Sequence, residues 1–333
     1  MASVENAIYL LRQIGRYMKR YEELLAVVGA LYASKITFIV AWKVLQGFRV
    51  YILSRLRQQD FKGYGKWAVI TGGTDGIGKA YCREFANHGL NIVIISRSLD
   101  KLKATAEELE KDFGISTSII QADFTEGTRS LYTNIKEQLA DKEIGILGNF
   151  VTCNFHPLSK TFASIKLWQC INVNMTTVTM MTYIVLPQMA QRRKGLIINM
   201  SSISSFYPLP LMAAYSASKA YVDWFSRALN YEYKSKGITI QTLLPSYIST
   251  KLTRFSHFLQ KPGYIVPDAH SFVNSALCTV GTTNRTTGYW THGLQWWWYE
   301  HMPESLWNLS SWVLLKMLDS GELRLDLQKK KHS

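Results

Sequence analysis

The sequence predicts an α/β protein built on a doubly wound parallel sheet. Between Trp67 and Pro245, short apolar runs alternate with helical stretches, the rhythm of parallel strands joined by crossover helices. The first of these runs feeds directly into a glycine-rich turn, the connection by which such sheets hold a dinucleotide. The chain has 333 residues, 47% of them hydrophobic and 13% aromatic, enough to bury one large core, and this excludes a disordered or fibrous class. The expected organisation is an N-terminal hydrophobic helical segment over residues 1–60 and a main domain over 61–333. An aromatic-rich C-terminal extension starts at about residue 251 of that domain.

Residues 24–42, LLAVVGALYASKITFIVAW, are long enough to span a bilayer, but Lys35 lies inside the run and Lys43 closes it. A central lysine costs roughly 3 kcal/mol on the insertion scale, and nine Leu, Ile, Val and Phe residues at roughly 0.4 kcal/mol each return a similar amount. A membrane anchor and an amphipathic helix lying on a membrane or on the domain are both compatible with this balance. Arg12, Arg16, Lys19 and Arg20 precede the run, and Arg49, Arg55 and Arg57 follow it, so charge does not fix an orientation.

The sheet pattern begins with the strand WAVIT and the helix IGKAYCREFANHG. It continues through NIVIIS, the helix LDKLKATAEELEKDFG, TSIIQADF and IGIL. LIINMSS, a long helix from about Ala213 to Ser235, and ITIQTLLP carry it to Pro245, so the core spans about 66–250. Beyond it, Trp290, Trp296, Trp297, Trp298, Trp307 and Trp312 suit a pocket wall, a membrane interface or plain core packing.

The segment Thr71-Gly72-Gly73-Thr74-Asp75-Gly76-Ile77-Gly78 follows a strand and opens a helix, the context a Rossmann-type dinucleotide loop requires. Gly72, Gly76 and Gly78 allow a tight turn, close approach to a pyrophosphate and close helix packing, with the helix N-terminus facing the phosphates. Thr74, Asp75 and Ile77 complete the expected cofactor loop. The next strand ends in Ser96-Arg97 where NAD-binding proteins commonly carry a carboxylate. A guanidinium there attracts a 2′-phosphate, which favours NADP(H). Asp123 is placed to accept a hydrogen bond from the adenine amino group, or to cap the following helix.

Tyr215 and Lys219 lie four residues apart in a helical stretch and share one face. A tyrosine of ordinary pKa about 10 is a poor acid or base at neutral pH, and a neighbouring ammonium favours its phenolate. Ser202, at the end of the strand LIINMS, supplies a hydroxyl to hold a carbonyl or alcohol oxygen beside Tyr215.

Taken together, TGGTDGIG, the serine in MSSIS, YSASK and INVNM resemble the short-chain dehydrogenase/reductase family over about 66–255. The resemblance implies Ser202, Tyr215 and Lys219 as catalytic residues and Asn174 as the fourth, holding a backbone kink and a water-linked proton relay to the lysine. Asn174 is otherwise readable as a buried structural amide. The resemblance also implies that Tyr215 and Lys219 contact the cofactor, joined by Asn149 and by Ile248 and Thr250 in Pro245-Ser246-Tyr247-Ile248-Ser249-Thr250. Ser246 stands where the family has glycine. The family's Asn-Asn-Ala-Gly is here Asn149-Phe150-Val151-Thr152, which places a side chain where a glycine usually adjoins the cofactor. Within the family, GKAY, GLNIVIISR, IIQADFT, KGLIINMSS and the hydrophobic N-terminus resemble a membrane-bound branch. That branch comprises 17β-hydroxysteroid dehydrogenases, very-long-chain 3-ketoacyl-CoA reductases and hydroxysteroid dehydrogenase-like proteins. Some of its members carry phenylalanine in place of the catalytic tyrosine and are held to be inactive, whereas this chain has Tyr215.

The implied reaction is hydride transfer to or from a carbonyl or hydroxyl of a hydrophobic small molecule, of steroid or long-chain 3-oxoacyl type. A nucleotide-binding scaffold with weak or no turnover is the rival reading. Phe206-Tyr207-Pro208-Leu209-Pro210-Leu211 and the later Phe255, Phe258 and Leu259 predict an apolar pocket. The net charge of +14 is scattered, with no basic arm and no zinc-ligand spacing, so neither nucleic acid nor metal is expected. An intracellular membrane and a homodimer are the expected larger partners. Four cysteines without a CxxC pair predict no disulfide framework and a reducing compartment. The ending Lys330-Lys331-His332-Ser333 matches a dilysine retrieval signal of the endoplasmic reticulum, while the resemblance implies mitochondria.

Overall fold

The computed structural model describes residues 2–57, 59–153, 167–253 and 259–331, and the chain divides into two units between residues 52 and 53. The first unit is one helix, α1 (Ala2–Tyr51). It is long and apolar enough to cross a membrane, and none of its most apolar window is buried. The helix extends well past the run 24–42 at both ends, because good helix formers flank the apolar stretch on either side.

The second unit holds a seven-stranded parallel sheet in the order β3-β2-β1-β4-β5-β6-β7. Its strands are β1 (Trp67–Thr71), β2 (Asn91–Ser96), β3 (Thr117–Gln121), β4 (Ile144–Asn149), β5 (Gly195–Met200), β6 (Ile238–Leu243) and β7 (Arg285–Thr286). Helices α2 (Gly76–Asn87), α3 (Leu99–Phe113), α4 (Arg129–Leu139), α5 (Leu167–Ile171), α6 (Thr177–Arg192), α7 (Ala213–Tyr233) and α8 (Ala269–Cys278) flank it.

The strands read as nearly unbroken apolar runs because both sheet faces are covered. Alternation sends Ala68, Ile70, Ile92, Ile94, Leu196 and Ile198 to one core, with Tyr81 and Phe85 of α2 and Leu102 of α3. Val69, Val93, Ile95, Leu147 and Ile197 face the other, with Tyr132 of α4 and Met181 and Val185 of α6. Asp75, Thr128 and Asp268 cap α2, α4 and α8 through their side chains.

The extension after the sheet forms α9 (Trp290–Glu300) and α10 (Glu304–Lys331), and its tryptophans divide between two environments. Trp307 is buried and its Nε1 donates to Pro208 O at 3.0 Å, while Trp296 packs edge-on against Phe206. Trp290, Trp298 and Trp312 are exposed. His332 and Ser333, at the basic terminus, lie outside the described residues.

Candidate active site

Strand order reverses at β1, whose neighbours β2 and β4 lie on opposite sides, and such a switch point opens a crevice at the carboxyl ends of the strands. Thr71, the last residue of β1, ties the crevice floor together. Its Oγ1 donates to Gly148 O at 3.3 Å and accepts from the Phe150 N–H at 3.1 Å. The chain then turns through Gly72 at φ +71° and Gly76 at φ +51°, the left-handed region that favours glycine. A Cβ on Gly78 would stand 2.2 Å from Gly72 O, so the first turn of α2 presses directly on the loop.

Asp75 accepts from the Gly76 N–H at 2.9 Å and is paired with Lys251. Burial opposes ionisation of its carboxyl, but the hydrogen bonds from Lys251 and Gly76 outweigh it and hold the pKa below the usual range. Thr74 joins the loop to the end of β2 through a 2.9 Å hydrogen bond with Ser96, and Arg97 follows on the surface. Asp123 accepts from the N–H and the hydroxyl of Thr125 at 2.9 and 2.8 Å. It makes a local turn rather than a helix cap, and Thr128 caps α4 instead.

At the end of β4, Asn149 Nδ2 donates to Asn199 Oδ1 at 2.9 Å, and Asn199 Nδ2 donates to Ser226 Oγ at 2.9 Å. Phe150, which replaces an amide, turns into the core and stacks on Tyr81 at 4.1 Å. Thr152 lines the cavity, and its buried Oγ1 has no hydrogen-bond partner among the described residues.

Ser202, Tyr215 and Lys219 meet at one wall, and Asn174 reaches them through Ser218. Ser202 follows β5 in extended conformation, and its Oγ accepts from the Ser204 N–H at 3.2 Å. Its side chain also hydrogen-bonds Tyr215. On α7, one turn separates Tyr215 from the buried Lys219, whose Nζ lies 5.6 Å from the Tyr215 ring centre and donates to Met200 O at 3.1 Å. Burial lowers the Lys219 pKa to about 8, partly opposed by the sulfurs of Cys153 and Cys170. Burial pushes the Tyr215 phenol up, and the hydrogen bond with Ser202 only partly offsets this. The sequence anticipates a phenol lowered by the lysine. Burial raises it instead, with the neighbouring Cys153 sulfur adding to the rise.

Asn174 lies in a π-helical stretch, Asn172–Thr176, between α5 and α6, the backbone irregularity expected of it. Such bulges re-aim side chains at functional sites. Its Oδ1 accepts from the Cys153 N–H at 2.9 Å and its Nδ2 donates to Ser218 Oγ at 2.8 Å. Ser218 Oγ in turn donates to Tyr215 O at 2.7 Å, so the amide reaches the helix that carries both Tyr215 and Lys219.

Ser202, Tyr215 and Lys219 wall a cavity of about 440 Å³ that also takes in Ile77, Ile248 and Thr250, whereas Asn174 is buried and does not line it. Leu209, Met212 and Leu252 add apolar wall. Phe206 is not among the lining residues and packs on Trp296 instead; Leu259 is buried away from the cavity. Phe255 and Phe258 lie outside the described residues. Of the tail tryptophans offered as a pocket wall, Trp307 does line the cavity, while sequence reasoning missed Tyr247, Tyr299, Met302, Leu314 and Leu315. The density of aromatics in the tail was the one available signal.

Comparison with known proteins identifies the family. The short chain dehydrogenase family model matches residues 66–257. The chain belongs to this family. Its relatives include human "Inactive hydroxysteroid dehydrogenase-like protein 1", 43% identical over 96% of this chain and 97% of the relative. They also include "Very-long-chain 3-oxoacyl-CoA reductase-B" of Danio rerio, 39% identical over 84% of this chain and 89% of the relative. A solved short-chain dehydrogenase from Sphingobium yanoikuyae in complex with NADPH is 29% identical with a TM-score of 0.57, covering 64% of this chain and 83% of that one. The short chain dehydrogenase fold thus accounts for the seven-stranded parallel sheet and its flanking helices.

Proposed function

We propose that this short chain dehydrogenase is an NADP(H)-dependent oxidoreductase acting on a carbonyl or hydroxyl of an apolar substrate. The observation that carries the reading is the convergence of Ser202, Tyr215 and Lys219 on one apolar cavity that Ile77, just after the glycine loop, also lines, with the buried Asn174 bonded to the same helix through Ser218. The cradle fits a dinucleotide: Gly72 and Gly76 hold backbone that side chains disfavour, and the first turn of α2 faces the crevice. Tyr215, Lys219, Ile248 and Thr250 line the cavity where its reactive end would lie, whereas Asn149 is buried, bonded to Asn199 and not among the lining residues. The wall then suits a steroid or long-chain acyl group, the second favoured by likeness to the Danio rerio reductase.

A bound nicotinamide cofactor supplies the hydride. The Ser202 hydroxyl holds the substrate oxygen, and Tyr215 Oη gives it a proton during reduction or takes one during oxidation. Lys219, as ammonium, stabilises the phenolate that remains. Asn174 holds Ser218 and the Cys153 backbone so that the two walls keep their spacing. With Lys219 at about 8, its ammonium is present below that pH and lost above it. The kcat/KM for ketone reduction is therefore expected to be level below about pH 8 and to fall as pH rises through it, as a pH profile would record.

Arg97 is assigned to the 2′-phosphate. Removing a hydrogen bond to a charged group costs about 1.5–3 kcal/mol. Arg97→Ala should therefore weaken NADPH binding roughly 10- to 100-fold and leave NADH binding nearly unchanged. Fluorescence titration with both cofactors tests this, and equal loss for both would remove the assignment.

A second reading, a nucleotide-binding protein without turnover, draws on the word "Inactive" in the human relative's name and on Thr152. A panel of steroid ketones and 3-oxoacyl-CoAs separates the two. Cofactor oxidation by any member favours the enzyme, and tight NADPH binding with no oxidation favours the scaffold.

A further inference from the structure

Two of the four cysteines, 17 residues apart in sequence, meet at the wall of the cavity. Cys153 Sγ lies 3.3 Å from Cys170 Sγ, and both are free thiols. Cys170 is buried in α5, whereas Cys153 is half-buried and lines the cavity. The pair also has a polar setting that an inert core cysteine lacks. Asn174 Nδ2 lies 3.3 Å from Cys153 Sγ and 3.7 Å from Cys170 Sγ, directed as a donor to each, and the Lys219 ammonium acts on both sulfurs. Cys82, by contrast, is wholly buried beneath the glycine loop, with the Gly73 carbonyl as its hydrogen-bond partner.

We infer that Cys153 and Cys170 form a reactive dithiol in the cavity wall that closes reversibly to a disulfide on exposure to a peroxide. Two conditions govern such a reaction, thiolate character and access. Cys170 accepts a hydrogen bond from the Cys153 thiol, which lowers its pKa and raises that of Cys153, and Lys219 favours charge on either sulfur. The pair therefore holds its first negative charge more readily than an isolated buried thiol does. Access comes through the cavity at Cys153.

The chemistry balances with hydrogen peroxide as the oxidant. The thiolate attacks one peroxide oxygen, the O–O bond breaks, and the products are a sulfenic acid and hydroxide. The second sulfur, losing its proton, then displaces the hydroxyl from the sulfenic sulfur and the S–S bond forms. Two thiols and one peroxide become one disulfide and two waters, the sulfurs losing two electrons and the peroxide gaining them. A dithiol reductant reverses the change by exchange. Closing the bond requires the sulfurs to approach from 3.3 Å to about 2 Å. This draws Cys153 away from its present place in the wall beside Asn174.

The test uses the full chain, purified in detergent, and reads covalent state rather than turnover, so its outcome is independent of the functional reading above. The reduced protein is treated with hydrogen peroxide, alkylated and mapped by mass spectrometry without reduction. The expected result is one peptide pair joined through Cys153 and Cys170, 2 Da below the sum of the two reduced peptides and released by dithiothreitol. Cys170→Ser should abolish the pair and leave Cys153 trappable as a sulfenic acid by dimedone. The inference is overturned if both thiols remain alkylatable at a dose that oxidises Cys278, or if either sulfur passes to sulfinic acid without a cross-link forming.

Discussion

Tyr215→Phe is expected to lower turnover roughly 100- to 10,000-fold, the span associated with loss of a positioned acid or base. NADPH binding should survive. The substitution removes one oxygen and leaves the ring, so the packing of α7 and the 5.6 Å approach of Lys219 Nζ to the ring centre are retained. What disappears is the proton and the hydrogen bond shared with Ser202. Steady-state kinetics and a cofactor titration on the same preparation give the two readouts. Undiminished turnover would remove Tyr215 from the chemistry, and loss of binding together with turnover would point to a structural effect.

Gly78→Ala is expected to damage the cofactor loop itself. The added Cβ would sit 2.2 Å from Gly72 O and 2.7 Å from Gly72 C, both backbone atoms, so no flexible side chain can yield. Either α2 retreats or the turn at Gly72 opens. Overpacking of this kind costs typically 1–3 kcal/mol, and here it falls on the turn assigned to the pyrophosphate. NADPH affinity should drop at least 10-fold and thermal stability should fall with it. Gly114→Ala, at a position with open space around it, provides a comparison, since its left-handed φ of +65° strains the fold without touching the loop. Equal cofactor affinity in both variants would contradict the placement.

Much of the sheet was legible because buried parallel strands write themselves as apolar runs. WAVIT, NIVIIS and IGIL fall within or on β1, β2 and β4. β7 was not legible, since Arg285–Thr286 is two residues long and carries no period. The stretch INVNMTT is rich in β-branched residues, yet it runs through a π-helical turn and into α6; tertiary packing around Asn174 decided that local structure. At the site, Tyr215, Lys219 and Ser202 stood out by helical spacing and strand end only in combination with the glycine loop, and their proposed roles came from the family resemblance. The wall from Tyr299 to Leu315 was not, because those residues reach the cavity only through the way α9 and α10 fold back on Pro208 and Tyr207. The meeting of Cys153 with Cys170 was equally hidden, as a 17-residue separation predicts no contact. A phenol lowered by Lys219 was a reasonable expectation from charge alone, but burial raises it, and sequence cannot measure burial.

Hydride transfer within the cavity walled by Ser202, Tyr215 and Lys219 is the step on which the proposed function turns. Incubation with NADPH deuterated at nicotinamide C4, in the transferable position, and a panel of apolar ketones tests this most directly, with product alcohols analysed by mass spectrometry. The native protein is expected to give an alcohol heavier by one deuterium at the carbinol carbon, and Tyr215→Phe almost none. Saturable NADPH binding with no labelled alcohol from any ketone would contradict that expectation and favour the scaffold reading.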